Sequence, residues 1–316
     1  MRLVFCGTPQ FAVPTLKALH AAGHEIALVV TQPDRPVGRT QELVAPPVKL
    51  TAIAAGIPVI QPDKIRNNAE FRARLESIQP DAIVVVAYGR IIPAWMLALP
   101  RLGCINLHGS LLPKYRGAAP IQWAVAMGEE ITGNTTMLLD EGLDTGPILM
   151  QQALVIRPEQ TALDLFEEMA TGGAPLVLNT LAGLESRTVE PAPQDSTRAT
   201  LAPLLEREDG RINFATHTAT KIRNRWRGFQ PWPGAFTAFE GKKLIVHQMK
   251  LAGDLHLSQG PSCEPGLVIV RDQRIFVLCA GNTWLELVEL QLEGKKRLPA
   301  REFLHGMHLA GVVRLG

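Results

Sequence analysis

The sequence contains no run of 18 or more apolar residues, and no apolar segment followed by small residues near residue 1. The first absence argues against a membrane-spanning helix, and the second argues against a secretory signal peptide. We therefore expect a cytoplasmic protein with no membrane partner. With 316 residues and a hydrophobic content of 46%, the chain is long enough for two domains, each with its own core.

Cysteine is scarce. The four cysteines, Cys6, Cys104, Cys263 and Cys279, are widely spaced and form no C-x-x-C pair. This spacing gives no support for a zinc ribbon or a thioredoxin-like redox site. Two of them lie in apolar, strand-like runs, where cysteine behaves as a small hydrophobe. We expect buried thiols in a reducing compartment.

Three common motifs are also missing. The first turn reads "GTPQF" and not G-x-G-x-x-G, and Pro9, Gln10 and Phe11 stand where small residues would let a pyrophosphate approach. The chain has no G-x-x-x-x-G-K-[ST] phosphate loop. Ser110 is not part of a G-x-S-x-G nucleophile elbow. These absences argue against a nicotinamide cofactor, a P-loop nucleotide site and a serine hydrolase.

Strands and helices alternate through residues 1–188. The apolar runs "RLVFCG", "EIALVVT", "DAIVVVAYG" and "CINLHG" are typical of strands in a sheet covered on both faces. Helical segments lie between them, and two further helices, through Leu163–Met169 and through "APLVLNTLAGL", follow. This pattern predicts a doubly wound, largely parallel α/β domain.

The composition changes after residue 188. Residues 189–206, including "VEPAPQDSTRAT", are rich in Pro, Ser and Thr and predict a linker. Residues 207–316 contain a basic helix and then short strands separated by turn signals, which predicts a small, closed or partly closed β-barrel.

Charge is distributed unevenly between these parts. Residues 1–206 carry a net charge of −4, whereas residues 207–316 carry +6. A basic C-terminal part indicates an anionic partner, although the excess cations could equally be solvated surface charges.

The stretch "CINLHGSLLPKYRG", residues 104–117, contains the most distinctive chemistry. In an extended strand, alternate side chains share a face, so Asn106 and His108 point the same way near the carboxyl end of a strand. An amide donor and an imidazole suit a carbonyl that becomes a tetrahedral oxyanion. The alternative is that the two residues only anchor a loop.

A carboxylate follows one helix later, in "TGNTTMLLDEGLDTGPI". Asp144 lies between Gly142 and Gly146, in a loop that can approach another backbone closely. Facing His108, it would orient the ring and accept a proton from an attacking amine. The alternative for Asp144 is an Asx turn, and we expect that turn role for Asp140.

The segment "NLHGSLLPKYRGAAPIQWAVAMGE", followed by "GLDTGPIL", resembles the signature of the folate-dependent formyltransferases. Further similarity lies in "FCGTPQFAVPTL", "TQPDRPVGR", "VVVAYGRIIP" and "RGFQPWPGAFT". The resemblance implies that Asn106, His108 and Asp144 are catalytic. It implies a folate-binding loop at Ser110, Leu111, Leu112 and Pro113, and a pterin pocket lined by backbone groups of Tyr88, Gly89 and Ile91. Tyr115, Arg116 and Gly117 would complete the loop beside the site.

The resemblance also implies an activity and a fold. The formyl group of 10-formyltetrahydrofolate would pass to the α-amino group of methionine esterified to the initiator tRNA, with no metal and no redox cofactor. The fold would be a Rossmann-like formyltransferase domain followed by an OB-like barrel that holds tRNA. We expect a monomer whose partners are folate and this tRNA.

The expected tRNA contacts are basic residues. Arg39 is the predicted contact in the first part of the chain. Thr40, Gln41 and Glu42 follow it where the family often has lysines, so the contribution of this loop to tRNA recognition is open. Each basic residue could instead be a solvated charge, and Trp226, Phe229 and Trp232 are expected to pack a domain junction. The predicted contacts are Arg39, Arg223, Arg225, Lys242, Lys243, Lys295, Lys296 and Arg297.

Two other functions are compatible with the same residues. One is a different member of the superfamily that formylates a sugar nucleotide or glycinamide ribonucleotide, or that hydrolyses 10-formyltetrahydrofolate. The basic C-terminal part argues against it, because a small acceptor does not need such a surface. The other is a non-catalytic RNA-binding protein, against which the set of Asn106, His108 and Asp144 argues.

Overall fold

The computed structural model describes residues 1–38, 41–253, 264–306 and 313–316. The chain divides into two compact units. Unit 1 comprises Met1–Ile121, Glu130–Ile156 and Asp164–Leu204. Unit 2 comprises Gln122–Glu129, Arg157–Leu163 and Leu205–Gly316.

Unit 1 is built on a seven-stranded sheet with the order β5-β2-β1-β6-β7-β8-β9. The first five of these strands pair in parallel, and β8 and β9 are antiparallel. A separate hairpin joins β3 and β4. The strands are β1 (Arg2–Gly7), β2 (Glu25–Val30), β3 (Arg35–Val37), β4 (Glu42–Val44), β5 (Val59–Ile60), β6 (Ala82–Val86), β7 (Cys104–His108), β8 (Ile131–Leu138) and β9 (Ile148–Val155).

Six α-helices lie among the described residues between positions 1 and 188. Asn68 begins α3 by accepting a hydrogen bond from the backbone N–H of Phe71 at 2.9 Å, and Gly23 (φ 80°) follows α1. All five residues of β6 are buried, which is what a strand covered on both faces requires. The helices are α1 (Val13–Ala21), α2 (Pro47–Ala54), α3 (Ala69–Ile78), α4 (Ala94–Leu97), α5 (Pro120–Met127) and α6 (Ala162–Glu185).

The prediction of two helices between residues 163 and 184 was wrong. One continuous helix, α6, covers both segments and carries Pro175 in its interior. A proline in a helix interior removes one hydrogen bond, and this explains the predicted break. Buried side chains on both sides of it, including Leu165, Met169, Val177 and Leu181, keep the helix continuous through packing.

Unit 2 contains a six-stranded antiparallel sheet. Its order is β10-β11-β14-β13-β12, with β15 added to β14. Its core includes Leu244, Val277 and Leu285, all at most 1% exposed. The elements are α7 (Ala219–Gly228), β10 (Phe236–Phe239), β11 (Lys242–Leu251), β12 (Val268–Arg271), β13 (Arg274–Cys279), β14 (Thr283–Leu292), β15 (Leu298–Pro299) and α8 (Ala300–His305).

The predicted fold class is confirmed, with a largely parallel α/β sheet and a smaller antiparallel domain. The two units are not contiguous in sequence, however. Residues 122–129 and 157–163 belong to unit 2, whereas 189–204, predicted as part of a linker, belong to unit 1. Composition alone does not reveal either assignment, because both depend on contacts between residues far apart in the chain.

Close packing around α7 explains why residues 122–129 belong to unit 2. The rings of Trp123 and Phe229 meet edge to face with centroids 5.3 Å apart. A Cβ atom on Gly228 would lie 2.6 Å from the backbone of both Gln122 and Ala126. Arg227 donates hydrogen bonds to the carbonyl oxygens of residues 157 and 160. Only glycine at position 228 permits this approach.

We predict that Gly228→Ala destabilises unit 2 by about 1–3 kcal/mol, the usual cost of overpacking a core. Alanine has a higher helix propensity than glycine. A loss of stability would therefore result from the steric clash at position 228 and not from a weaker helix. Thermal unfolding followed by circular dichroism measures the change. Gly306→Ala is the control, because Gly306 is exposed and has an ordinary φ of −90°. Equal midpoints for the two variants would contradict the prediction.

Candidate functional site

The end of β7 carries the predicted Asn–x–His pair. Asn106 pairs with Val85 of β6 on one side and with Met137 of β8 on the other. His108 lies two residues further along, on the same face of the strand. Its ring is buried, and Nε2 donates to the backbone carbonyl of Tyr115 at 2.9 Å. This bond holds the ring and leaves Nδ1 to face elsewhere.

Nδ1 of His108 faces Asp144. The distance from Nδ1 to Oδ2 of Asp144 is 3.6 Å, and the two side chains are 6% and 14% exposed. Oδ2 also accepts a hydrogen bond from the backbone N–H of Gly117 at 2.8 Å. Asp144 itself has a left-handed backbone (φ 52°), which an aspartate tolerates. The structure therefore brings together two residues separated by 36 positions, as the sequence predicts.

The side chain of Asn106 is half-buried. Among the described residues it has no hydrogen-bond partner, whereas the ring of His108 beside it is already held by Tyr115. A carboxamide in this position offers two N–H donors. The end of β7 thus presents an uncommitted donor, an imidazole nitrogen and a carboxylate.

Asp140 has a different role, as predicted. Its Oδ1 accepts from the backbone N–H of Gly142 at 3.0 Å, which is an Asx turn, and from Thr145 Oγ1 at 2.8 Å. Asp140 therefore shapes the loop that carries Asp144. Among the described residues, no hydrogen bond or ion pair joins Asp140 to His108.

The loop after β7 folds back on β8. Ser110 Oγ donates to the carbonyl of Lys114 at 2.6 Å, and the backbone carbonyl of Ser110 accepts from Thr135 Oγ1 at 2.6 Å. The side chains of Ser110 and Leu112 are buried, whereas Leu111 and Pro113 are partly exposed. Within the predicted folate loop, the Ser110 hydroxyl is thus committed to closing the loop, and only Leu111 and Pro113 present side chains to solvent.

The segment after β6 contains the other residues predicted to bind folate. The ring of Tyr88 is buried, which raises the pKa of its hydroxyl. Its backbone carbonyl accepts from Thr8 Oγ1 and Gln32 Nε2, and Gln32 Nε2 also donates to the Gly89 carbonyl. Ile91, in contrast, is 88% exposed.

Two clefts lie along this segment, and the residues predicted to line the pterin pocket are distributed between them. The first, which we call the Ile91 cleft, has a volume of about 430 Å³ and is lined by Ile91, Ile92, Pro93, Arg66, Arg90 and Glu141. The second, the Gln32 cleft, has a volume of about 320 Å³, and Tyr88 and Gly89 line it together with Thr8, Gln32 and Pro33. The Ile91 cleft lies beyond the carboxyl end of β6, and the Gln32 cleft lies beyond the carboxyl ends of β1 and β6. The strand order reverses between β1 and β6, where open α/β sheets bind ligands.

Two of the predicted tRNA contacts, Arg223 and Arg225, make contacts within unit 2. Arg223 is only 9% exposed and donates to the Glu159 carboxylate and the Pro158 carbonyl. Arg225 is partly buried, lies 4.8 Å from the centroid of the Phe229 ring, and donates to a backbone carbonyl. Both guanidinium groups are used in the packing of unit 2, so a direct role on an RNA surface does not fit them.

The other predicted contacts lie elsewhere. Arg39 lies outside the described residues, as does Thr40. Lys242, Lys295 and Lys296 are exposed. Arg297 is exposed and donates to the carboxylate of Glu289, which raises the pKa of the guanidinium.

The structure places Arg211, a cation that was not among the predicted contacts, beside the predicted contact Lys243. Lys243 Nζ lies 3.8 Å from the centroid of the Phe236 ring, and the guanidinium of Arg211 lies 5.4 Å from the same centroid. The pKa of Lys243 is lowered overall, mainly by burial and also by the charges of Arg207 and Arg211. Nearby carboxylates offset only part of this shift. We call Arg207, Arg211, Lys242 and Lys243 the Phe236 patch. Residues 207 and 243 are too far apart in sequence for any local pattern to link them.

Among residues 1–38, 41–253, 264–306 and 313–316, no group of three His, Cys, Asp or Glu residues is placed to hold a metal ion. No helix in the described ranges is both long and apolar enough for a bilayer. Cys6, Cys104 and Cys279 are buried free thiols, and burial raises the pKa of Cys104 to about 12. Cys263 lies outside the described residues.

Comparison with known proteins identifies two matching family models. Residues 1–181 match the family described as formyl transferase, and residues 204–308 match the family described as formyl transferase, C-terminal domain. Together the two matches cover most of the chain and leave residues 182–203 and 309–316 outside.

Similar proteins cover the whole chain. A methionyl-tRNA formyltransferase from Acidobacterium capsulatum is 63% identical over 316 residues, which is 100% of both chains. One from Koribacter versatilis is 54% identical over 316 residues, covering 100% of this chain and 99% of the relative.

A solved structure agrees with the fold. The N-formyltransferase from Helicobacter canadensis, in complex with folinic acid and dTDP-3-aminofucose, aligns with a TM-score of 0.64 at 18% identity, covering 90% of this chain and 98% of the other. At this identity the likeness shows the fold alone. The whole-chain relatives go further and confirm the resemblance based on the Asn106–His108 segment. This chain belongs to the formyl transferase family and, within it, to the methionyl-tRNA formyltransferases.

Proposed function

We propose that this protein transfers the formyl group of 10-formyltetrahydrofolate to the α-amino group of methionine esterified to the initiator tRNA. The observation that carries the proposal is the meeting of His108 and Asp144, 3.6 Å apart and shielded from solvent, on the face that Asn106 shares. Relatives aligned over the whole chain carry the name of this activity. The product is N-formylmethionyl-tRNA for translation initiation, and we place the reaction in the cytoplasm, on a monomer.

The reaction sets two requirements for the site. The amine attacks the formyl carbon, a C–N bond forms, and the carbonyl electrons move to oxygen to give a tetrahedral oxyanion. Collapse of this intermediate breaks the bond between the formyl carbon and N10 of the folate. One proton leaves the attacking amine, and one is delivered to N10. The protein must therefore stabilise an oxyanion and carry a proton.

Asn106 meets the first requirement. Its carboxamide lies at the carboxyl end of β7 without a hydrogen-bond partner among the described residues, so its N–H groups are available to the oxyanion. A donor that is fixed before the reaction pays no reorganisation cost when charge develops. Loss of one such donor typically lowers the rate by about 10²–10³.

His108 and Asp144 meet the second requirement. Because Nε2 of His108 is held by the Tyr115 carbonyl, the ring acts through Nδ1. A proton on Nδ1 can be delivered to N10 as the intermediate collapses, and the Asp144 carboxylate beside it can accept the proton that leaves the amine. The Gly117 N–H donates to Oδ2 of Asp144 and fixes the orientation of the carboxylate.

The Ile91 cleft fits the folate. Ile91, Ile92 and Pro93 provide apolar walls for a pterin ring, and Arg66 and Arg90 offer cations to the glutamate carboxylates of the folate. Glu141, which also lines this cleft, lies three residues before Asp144 in the same loop. A folate bound here would have its formyl group near the end of β7. The backbone carbonyl groups of Tyr88 and Gly89 accept hydrogen bonds from Gln32, and both residues line the Gln32 cleft.

Residues 1–188 form the formyl-transfer part in this proposal, and residues 207–316 bind the tRNA. The surface cations that support this assignment are Lys295, Lys296 and the Phe236 patch. Cations on an exposed surface attract the phosphate backbone irrespective of its sequence. Arg39 stays a predicted contact from the first part of the chain.

The acceptor specificity is the direct test of the function. Purified protein with 10-formyltetrahydrofolate is expected to formylate methionyl initiator tRNA and to leave a nucleotide-linked amino sugar and glycinamide ribonucleotide unchanged. Mass spectrometry of the acceptors measures the product, and deacylated tRNA is the control. Formylation of the sugar amine without formylation of the tRNA, or rapid release of formate with no acceptor, would contradict the proposal.

We predict that Asp144→Asn lowers kcat by about 10²–10⁴, because the carboxamide cannot accept the proton. The variant keeps an oxygen for the Gly117 N–H, so its melting temperature should stay close to that of the original protein. Asp140→Asn is the matched control in the same loop, and it retains the Asx-turn acceptor with an expected kcat change below about threefold. Similar kcat values for the two variants, measured in single-turnover formylation, would refute the role of Asp144.

We predict that tRNA affinity depends steeply on salt and that surface cations of unit 2 set the slope. The double variant Arg207→Gln/Lys242→Gln should reduce the slope of log K against log salt by about 1.4–1.8, which corresponds to two lost phosphate contacts. Lys17→Gln/Arg74→Gln removes two exposed cations from α1 and α3 and should leave the slope unchanged. Filter binding from 50 to 200 mM salt gives both slopes, and identical slopes would exclude the Phe236 patch.

A further inference from the structure

The segment between residues 192 and 202 is ordered against both loops of the candidate site. Ala192 and Ile148 exchange two backbone hydrogen bonds of 2.8 Å. Further along, the Arg116 N–H donates to the Thr200 carbonyl at 2.8 Å, and the Ala202 N–H donates to the Arg116 carbonyl at 2.7 Å. We call residues 192–202 the strap, because its two ends are bonded to the loops that carry Asp144 and the Tyr115 carbonyl.

Gln194 joins these two loops through its side chain. Nε2 donates to the backbone carbonyls of Asp144 and Gly146 at 2.8 and 2.7 Å. Oε1 accepts from Nε and Nη2 of Arg116 at 3.1 and 2.8 Å. Both donor hydrogens and both acceptor positions of the carboxamide are therefore used. Arg116 is itself only 7% exposed, so its guanidinium depends on this partner.

Thr200 acts on the other side of the site. Its Oγ1 accepts from the backbone N–H of Tyr115 at 2.8 Å, and Tyr115 has a left-handed backbone (φ 61°). The Tyr115 carbonyl is the group that holds Nε2 of His108. The strap thus fixes the acceptor that orients the imidazole as well as the loop that carries the carboxylate.

The backbone at Asp144 needs such support. A left-handed conformation is uncommon for a residue other than glycine and persists where the surroundings determine it. Gly146 lies two residues further on, and a Cβ atom there would be 1.9 Å from the Leu138 carbonyl, so the loop is packed against β8 at that point. The Gln194 carboxamide holds the backbone carbonyl groups of both Asp144 and Gly146.

We propose that Gln194 is a positioning residue for formyl transfer, which sets the distance between the Asp144 carboxylate and Nδ1 of His108 without touching either substrate. This inference depends on the proposed function of the site. A shift of about 1 Å between reacting groups can lower a rate by about 10²-fold, so loss of the carboxamide should reduce kcat and leave substrate binding unchanged.

Two near-isosteric variants test the proposal. Gln194→Met removes all four hydrogen bonds. Gln194→Glu retains an acceptor for Arg116 and loses only the donation to the Asp144 and Gly146 carbonyls. Both are expected to lower kcat by about 10- to 100-fold and to change KM for the tRNA and the folate by less than about threefold. An unchanged kcat in Gln194→Glu would overturn the role.

A control and an independent readout separate positioning from simple loss of stability. Thr180→Val removes a buried hydrogen bond to Thr136 and another to the Leu176 carbonyl within the same unit, so it should lower the melting temperature and leave kcat unchanged. Amide hydrogen exchange at Gly117 reports the Asp144 carboxylate directly, because that N–H donates to Oδ2. We expect exchange at Gly117 to be at least about tenfold faster in Gln194→Met and unchanged in Thr180→Val.

The outcomes distinguish the two proposals. If the original protein formylates a different amine and the Gln194 variants lose kcat on that amine, the acceptor assignment fails and the positioning role stands. If the original protein formylates methionyl-tRNA and the Gln194 variants keep both their kcat and the slow exchange of Gly117, the positioning role fails. Because the exchange measurement needs no substrate, it decides the question even when no acceptor is formylated.

Discussion

The ring of His108, held between a carbonyl and a carboxylate, is the constraint on which the rest of the site depends. The Tyr115 carbonyl fixes Nε2, and Asp144 faces Nδ1. A neutral imidazole can donate to only one of these two oxygens. The strand face shared with Asn106 adds a donor for an oxyanion. The elements that deliver these groups, β7 and two loops, are otherwise ordinary parts of a doubly wound sheet.

Much of this site could be predicted from sequence because the periodicity of a strand is local. Residues 106 and 108 share a face in any extended strand, and the apolar runs around them identify the strand. The prediction that Asp144 meets His108 depended on the family signature, because no local pattern connects these two residues. The Asx turn at Asp140 was predictable for the same local reason as the strand face.

Long-range contacts explain what sequence could not supply. Gln194 lies in a stretch rich in Pro, Ser and Thr, whose composition is that of a linker, and its four hydrogen bonds are made to groups 48 to 78 residues away. Pro175 has the local signal of a helix end and is overridden by packing. Arg223 and Arg225 look like surface cations in a basic helix, yet Glu159 and the aromatic rings of unit 2 enclose them. Counting charge therefore overstates the cations available to a nucleic acid.

The strap has a consequence for how the protein can be divided. Sequence composition suggests cutting the chain near residue 188, and such a fragment would retain Asn106, His108 and Asp144 while losing Gln194 and Thr200, which bond to their loops. A cut after Leu204, where unit 1 ends, keeps the strap with the loops it holds. Exchange of acceptor-binding domains between relatives should accordingly place the fusion point after the strap, so that each catalytic half keeps its own.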